Sequence, residues 1–223
     1  MTAVVGQTPY DLANLLKGPC RVLYAPISQA IPTKLKDIFA VEGEYKAAGS
    51  FKEFGATAGG GSYNRQFATS GNKIDQATGD VDQEVSDVVR SISAPFNEVT
   101  PELLQMMEGA TSVGSVAAAA GYSAEKQVKT GTVESLTPYR IVIVGRRSVG
   151  QGADVVQKDG TTRGALVAYC MYRGKIVGDN TALQFARGQL ASAPLGFQAY
   201  PEPGQKVGEE HGIWMIEQAG TIA

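Results

Sequence analysis

A glycine-rich stretch is the first place in this chain where residue types and spacing could support chemistry. The run Gly55-Ala-Thr-Ala-Gly59-Gly60-Gly61-Ser62 has the glycines of a loop that cradles phosphate groups. Such a loop also needs a lysine immediately before its hydroxyl residue, because that lysine reaches the terminal phosphates, and here Gly61 holds the position. No helix signal follows Ser62. The stretch is therefore predicted to be a flexible hairpin tip, where glycines allow the positive φ of a tight turn.

Two further motifs suggest ligands but lack essential parts. Gly145-Arg-Arg-Ser-Val-Gly150 follows a strand signal without the spacing of a dinucleotide-binding loop. We interpret Arg146 and Arg147 as a charged strand end on a solvated face, or as an intersubunit contact. An acidic cluster lacks the alternating oxygen ligands and the bidentate glutamate of a calcium loop, so it is predicted to be a solvated turn. Its members are Asp75, Asp80, Asp82 and Glu84.

The single histidine, His211, is the candidate general base. A serine or cysteine nucleophile would need it, but no nucleophile-elbow pentapeptide is present, and zinc would need ligands beyond two distant cysteines. Those cysteines, Cys20 and Cys170, lie among apolar strand-like neighbours, and we expect both to be free, buried thiols. Asp and Glu are too numerous for their count to exclude a carboxylate pair for glycosidic chemistry. The aromatic content of 8% nevertheless gives no obvious sugar platform. We predict no catalytic residue, no cofactor and no metal site, and therefore no enzyme.

The bulk composition favours one soluble domain. The chain has 223 residues, 27 of them glycine and 10 proline, with a formal net charge of −2. No apolar run approaches the ~20 residues of a transmembrane helix, and the first residues lack a signal-peptide pattern, so synthesis and residence in a cytoplasm are expected. Lysine and arginine are not clustered as a nucleic-acid reader requires.

In the first half of the chain, the pattern predicts a mixture of short elements. We predict a helix over 8–18, a strand over 20–27, a helical turn over 35–39, and two strands over 50–57 and 62–69 that pair across the glycine run. A further strand over 83–95, with a bulge near 88–89, precedes a capped helix over 100–109. The segment 113–120 is small and only weakly helix-permissive.

The second half is strongly β. Strands are predicted over 139–144, 165–172, 179–190 and 212–218, with turns at Asp159-Gly160 and Arg173-Gly174. The fold class is therefore mainly β: an antiparallel β-sandwich or barrel with one packed α-helix, a long hairpin loop and extended terminal and internal arms. We expect a single domain over 1–223, made of a helix, strand and arm (1–49), an extended hairpin (50–82) and a sandwich body (83–223).

The order of segments between Ile31 and Glu108 resembles that of the major tail proteins, or tail tube proteins, of long-tailed bacteriophages. The segments that carry the resemblance are a proline-containing lead-in, Glu53-Phe-Gly-Ala-Thr57, Ile74-Asp-Gln76, a long strand, and the helix at Thr100-Pro-Glu-Leu-Leu104. Many of these proteins have a leucine where Phe54 stands, and an asparagine-leucine core in the helix where this chain has Pro101 to Leu104.

The resemblance implies a virion protein that forms stacked hexameric rings around a channel for the phage genome. It implies assembly in the host cytoplasm, contacts with tape measure, terminator and baseplate or tip proteins, viral DNA passing without specific binding, and no membrane. Intersubunit contacts are expected at Phe51, Phe54, Gly55, Tyr63, Phe67 and Ile74.

Two other functions are kept as alternatives. One is another self-assembling virion protein, such as a tail terminator or a head-decoration protein. The other is a cytoplasmic β-barrel that binds a small ligand, with Trp214, Tyr169 and Phe185 lining its pocket.

Overall fold

In the residues that the computed structural model describes, the fold consists of thirteen strands and one α-helix. The structure describes residues 20–39, 47–55, 57, 60–73, 80–110, 112–131, 135–147, 149–150, 154–177 and 193–221. The helix predicted over 8–18 and the strand over 179–190 lie outside this part. The strands are β1 Arg21–Pro26, β2 Lys52–Glu53, β3 Ser62–Lys73, β4 Asp80–Phe96, β5 Val113–Val116, β6 Glu125–Val128, β7 Tyr139–Arg146, β8 Asp154–Val156, β9 Thr162–Gly164, β10 Leu166–Val177, β11 Ala193–Ala199, β12 Gly212–Ile216 and β13 Gly220–Thr221; the helix is α1, Pro101–Met107.

Eight strands form one antiparallel sheet that curls into a barrel. Their order is β2-β1-β7-β10-β11-β4-β3, with β12 paired to β10 beside β11. The segment after β2 closes the sheet: the amide of Phe54 donates to the carbonyl of Val22 on β1, and Thr57 bridges to Phe96 on β4. A mainly β fold with antiparallel sheets and one helix is thus confirmed. The small β8–β9 sheet adds one parallel pair, β13 with β8.

Both faces of the central strands are buried, because alternate residues enter two different apolar clusters. On β1, Val22 and Tyr24 point into the inner cluster, whereas Leu23 and Ala25 belong to the outer one. The outer cluster is covered by Phe51, by the segment around the short 3₁₀ helix Leu35–Asp37, and by β12. This second layer gives the barrel its sandwich-like cross-section.

Helix α1 follows the end of β4 and packs on the barrel. The hydroxyl of Thr100 accepts from the amide of Leu103 at 3.1 Å, and Pro101 occupies the first turn, as the sequence predicts. Leu103 and Met106 are buried in the inner cluster, and Gly109 ends the helix with φ 63°. In the part of the chain that the structure describes, no helix is long and apolar enough to cross a membrane.

One pairing prediction is wrong. The strands over 50–57 and 62–69 do not form a hairpin with each other: β2 pairs with β1, and β3 pairs with β4. The glycine run indicates that the chain changes direction before β3, but it does not determine which strand β3 pairs with. β4 offers β3 a longer ladder, over which the two strands exchange hydrogen bonds from Ser62 to Lys73.

Two smaller predictions are also wrong. The dipeptide Arg173-Gly174 is not a turn, because β10 continues through it with a register irregularity between Met171 and Gly174. Gly174 packs closely against Ile141 and Met171, and a Cβ at this position would collide with both side chains. The segment 113–116 is a strand paired to β6, because tertiary pairing overrides weak propensity. The bulge expected at 88–89 lies nearby, where Ser86 is the extra residue of β4. The turn at Asp159-Gly160 is confirmed, with Gly160 at φ 80°.

Both cysteines are free, as predicted, but only Cys170 is buried, whereas Cys20 is half-buried. Burial raises the pKa of the Cys170 thiol to about 12 and raises that of Cys20 less. Because the thiolate is the reactive form, we expect Cys170 in the native protein to resist a thiol reagent at pH 8 while Cys20 reacts slowly. Two equivalents should react after denaturation. Ellman titration of native and denatured protein checks this, and a fast native equivalent from Cys170, located by mass spectrometry, would contradict it.

Candidate assembly surface

The β3–β4 hairpin extends beyond the barrel as a two-stranded ribbon. β4 pairs with β11 only through Ser91–Phe96, whereas it pairs with β3 from residue 80 to residue 93. No other described strand pairs with residues 65–73 and 80–90, which we call the arm. Eleven residues of β4 at about 3.3 Å each give the arm a length of roughly 35 Å. The long hairpin therefore has strands 62–73 and 80–96, not the strands 50–57 and 62–69 that the sequence predicts.

The strand register assigns residues of the arm to two opposite faces, because directly opposed residues of an antiparallel pair share a face. The front face continues the inner surface of the barrel, since Tyr63 lies opposite the buried Ile92. Further out, the front face carries Arg65, Phe67, Val85, Val88 and Arg90. The back face carries Gln66, Ala68, Asp87 and Val89.

The front face combines exposed apolar area with two arginines. Phe67 is 49% exposed and Val85 is 55% exposed. The Arg65 guanidinium lies 4.2 Å from the centre of the Phe67 ring, a cation–π contact. Arg65 also lies directly opposite Arg90, and like charges in that position destabilise a strand pair. The arm is therefore expected to have low stability when nothing covers its front face.

An aromatic cluster joins the arm to the barrel. The Tyr63 ring lies 4.6 Å from Tyr169 and 5.1 Å from Trp214, centre to centre. Burial raises the pKa of the Tyr169 hydroxyl, and the adjacent Tyr63 raises it further. Trp214 is 48% exposed. The cluster fixes the base of the arm and continues its front face onto β12.

Strand β12 has an unpaired edge beside this cluster. The carbonyl of His211 accepts from Tyr172, and the amide of Glu217 donates to Leu166. Peptide groups alternate in direction along a strand, so those of Gly212, Trp214 and Ile216 point away from β10. No described strand pairs with that edge, and Ile216 is 48% exposed. An unpaired edge of this kind can form backbone hydrogen bonds with a strand of another chain.

The residues expected to contact neighbouring subunits fall into different environments. Phe51 and Phe54, at 4% and 1% exposure, are buried in the outer and inner clusters of the chain's own core. Both side chains are therefore covered within a single copy of the chain. Gly55 has φ 104°, and a Cβ there would collide with Glu98, so its role is a backbone one.

Among the remaining expected contact residues, Tyr63 and Phe67 lie on the front face, and Ile74 lies outside the described residues. An intersubunit role for any of the six residues stays a prediction.

The motifs that first suggested chemistry are not brought together. Gly60 has φ 90° in open space, which fits a turn. Arg146 ends β7, where burial and the nearby Arg163 lower its pKa. His211 lies 4.0 Å from Glu210, and burial lowers its pKa. No group of three potential metal ligands occurs within the described ranges.

Sequence reasoning missed Arg65, Val85, Arg90, Trp214 and Ile216 as surface candidates. The signal that could have found the first of them is the alternation Tyr63-x-Arg65-x-Phe67, which places three side chains on one face of a strand. The sequence of β12 gives no such signal, because the edge that stays unpaired is determined only by its pairing with β10.

Comparisons with known proteins assign no family. No protein-family model matches the chain, and no curated protein matches it.

Proposed function

We propose that this chain is a structural virion protein whose copies polymerise as stacked hexameric rings that form a phage tail tube. The observation that carries the proposal is the arm, a roughly 35 Å ribbon with exposed Phe67 and Val85 that no other described strand supports. Exposed apolar side chains on an unsupported ribbon are unfavourable in a solitary monomer. They become favourable when a second copy covers them.

The energetics favour association over isolation. A lone two-stranded hairpin is marginally stable in water, and burial of apolar area contributes about 25 cal/mol per Å². The free edge of β12 adds peptide groups that a neighbouring strand can pair with. The same surfaces would cause disordered aggregation in a protein without a defined assembly.

The resemblance of the segment order to tail tube proteins selects the tube from among assemblies. Under this proposal the partners are other copies of the chain and the tape measure, terminator and baseplate or tip proteins. Viral DNA passes through the channel without specific binding, and the protein is located in the virion tail after assembly in the host cytoplasm.

The small-ligand alternative receives no support from the barrel interior. Phe54, Phe96, Phe197 and Tyr169 fill it, each at most 2% exposed. A cavity beside α1, lined by Gln105, Met106 and Tyr139, holds about 10 Å³, which is no more than one water molecule.

Removing the outer arm tests the proposal. A variant in which a short glycine-serine turn replaces residues 66–88, joining Arg65 to Val89, is expected to fold, because the barrel core keeps all its buried residues. We expect it to stay monomeric, while the parent protein passes from monomer to tubes as its concentration rises. Sedimentation velocity and negative-stain electron microscopy measure both.

A matched control shortens a different exposed loop. Residues 204–208, which include the 99% exposed Val207, are replaced by a glycine-serine turn, and assembly should be unchanged. A parent that remains monomeric at every concentration and salt would refute self-assembly. Isolated rings without tubes would instead favour a tail terminator or a decoration protein.

A further inference from the structure

We propose that the arm has a second, closed position, in which the outer part of β4 pairs with the unpaired edge of β12 and competes with assembly. The competition rests on the proposed self-assembly, whereas the closed position itself can be detected in the monomer. Both follow from the order of the strands and from the residues at the base of the arm.

Strands β11 and β12 occupy consecutive stretches of the same position in the sheet. The amide of Tyr200, just after β11, donates to the carbonyl of Arg173, and the amide of Tyr172 donates to the carbonyl of His211, just before β12. Two adjacent residues of β10 therefore hold the two ends of the loop between these strands. β4 pairs with β11 on the side away from β10, so the same side of β12 faces the outer part of β4.

The two edges that face each other are both unpaired. β4 pairs with β11 only through Ser91–Phe96, and β10 is the one described strand that pairs with β12. The edge of β4 over 80–90 and the edge of β12 over 212–216 therefore border one gap in the sheet. Unpaired edges are templates for strand pairing, and each of these edges is the other's neighbour in the strand order.

Charged side chains already connect the two strands at the base of this gap. Backbone hydrogen bonds lower the pKa of the Glu210 carboxyl, and the charges of His211 and Arg90 lower it further. Burial lowers the pKa of His211, as does Arg90, while Glu210 and Asp87 raise it. Charged groups of β4 therefore lie close to the residues that immediately precede β12.

The contact between Arg90 and Glu210 indicates an antiparallel register for closure. The opposed pairs are Arg90 with Glu210, Val88 with Gly212 and, past the extra residue Ser86, Val85 with Trp214. Directly opposed residues must share a face, and the last two pairs meet this condition. Their β4 members lie on the front face, which continues the inner surface of the barrel, and their β12 members lie opposite the buried Met171 and Tyr169.

Closure would cover apolar side chains that the open arm exposes beside the gap. Val85 is 55% exposed and Trp214 is 48% exposed. Burial of this area and pairing of the two edges stabilise the closed position, whereas the lost freedom of the arm opposes it. A closed arm can offer neither Val85 nor the edge of β12 to a second copy. Closure therefore competes with assembly.

A disulfide across the gap tests closure in the monomer. The variant combines Val85→Cys with Trp214→Cys, and Cys20→Ala removes the less buried native thiol. Opposed residues of an antiparallel pair come within disulfide reach, so we expect oxidised glutathione to join the two cysteines within one chain at concentrations below assembly. Mass spectrometry locates the bond, and non-reducing electrophoresis separates intrachain from interchain bonds.

The matched control combines Gln66→Cys with Trp214→Cys and Cys20→Ala. Gln66 is exposed on the back face of β3, so closure leaves it away from β12, and no intrachain bond should form. A second measurement keeps Trp214, the only tryptophan of the chain. A nitroxide on Val85→Cys should quench its fluorescence more strongly than a nitroxide on Gln66→Cys does, which tests closure even if Trp214→Cys loses its native circular dichroism.

The oxidised variant also tests the competition with assembly. We expect the concentration needed for assembly to rise about tenfold or more when the arm is locked, and dithiothreitol should restore the reduced level. Interchain bonds alone, or equal quenching from both nitroxide positions, would overturn closure and leave self-assembly standing. A locked protein that assembles like the reduced one would overturn the competition. A parent that never assembles would overturn the proposed function, while the disulfide and the quenching would still test closure.

Discussion

Phe54→Ala is expected to lower the free energy of unfolding of the monomer by about 3–5 kcal/mol. Phe54 is 1% exposed and lies where the segment after β2 closes the barrel. Its ring centre lies 4.5 Å from that of Tyr24, 5.1 Å from that of Phe96 and 5.5 Å from that of Phe197. Truncation leaves a cavity among rings that strand pairing holds in place, so little of the lost contact can be recovered by relaxation.

Phe67→Ala is the matched control for Phe54→Ala. Phe67 is 49% exposed on the arm, so its truncation should cost the monomer less than about 1 kcal/mol while weakening assembly. Urea unfolding, followed by circular dichroism at concentrations below assembly, measures both. A cost at position 54 no larger than that at position 67 would show that the closing segment is not part of the folded core.

Arg140→Ala is expected to destabilise the monomer by about 3–5 kcal/mol, because it breaks a buried charged network. The Arg140 side chain is 6% exposed and donates to the carboxylate of Glu202 at 3.3 Å. It also donates to the backbone carbonyls of Gln29, Ile27 and Tyr172. Its loss leaves the Glu202 charge, 14% exposed, without its cation.

Two further variants identify the source of that cost. Arg140→Lys should recover only a minor part, because one ammonium cannot reproduce the planar fork that reaches several acceptors. Adding Glu202→Met to Arg140→Ala should restore some stability, because it removes the unpaired carboxylate. Thermal unfolding of the parent, Arg140→Ala, Glu202→Met and the double variant gives the coupling energy. A purely additive cycle would mean that the two side chains do not stabilise each other.

Strands whose partners bury both faces were the easiest to predict. The β-branched run of β7 and the apolar run of β10 give strong local signals, and so do the cap and proline of α1. Strand pairing was harder to predict, because a local strand signal does not specify which strand will be its neighbour in the sheet. The glycines before Ser62 indicated a turn, yet the partner of β3 is β4, which follows it in sequence.

The candidate assembly surface was only partly predictable from the sequence. Tyr63 and Phe67 were among the contact residues expected from the sequence, but the two faces of the arm depend on the register, and the extra residue Ser86 shifts that register by one. Without it, Val85 would fall on the opposite face, since a one-residue slip reverses every side chain. Arg65 and Arg90 become neighbours only through that pairing.

The centre of the barrel joins distant parts of the chain. Tyr24 on β1 pairs with Ile141 on β7, and β10 is then covered by β12 near the other end of the sequence. Proteins dominated by such non-local pairings fold in about milliseconds to seconds, more slowly than helical bundles. During synthesis, β1 therefore waits with an unsatisfied edge until β7 has left the ribosome. The arm strands β3 and β4 are adjacent in sequence and can pair earlier, but a lone two-stranded hairpin is only marginally stable, so the arm becomes stable only when the barrel at its base has formed.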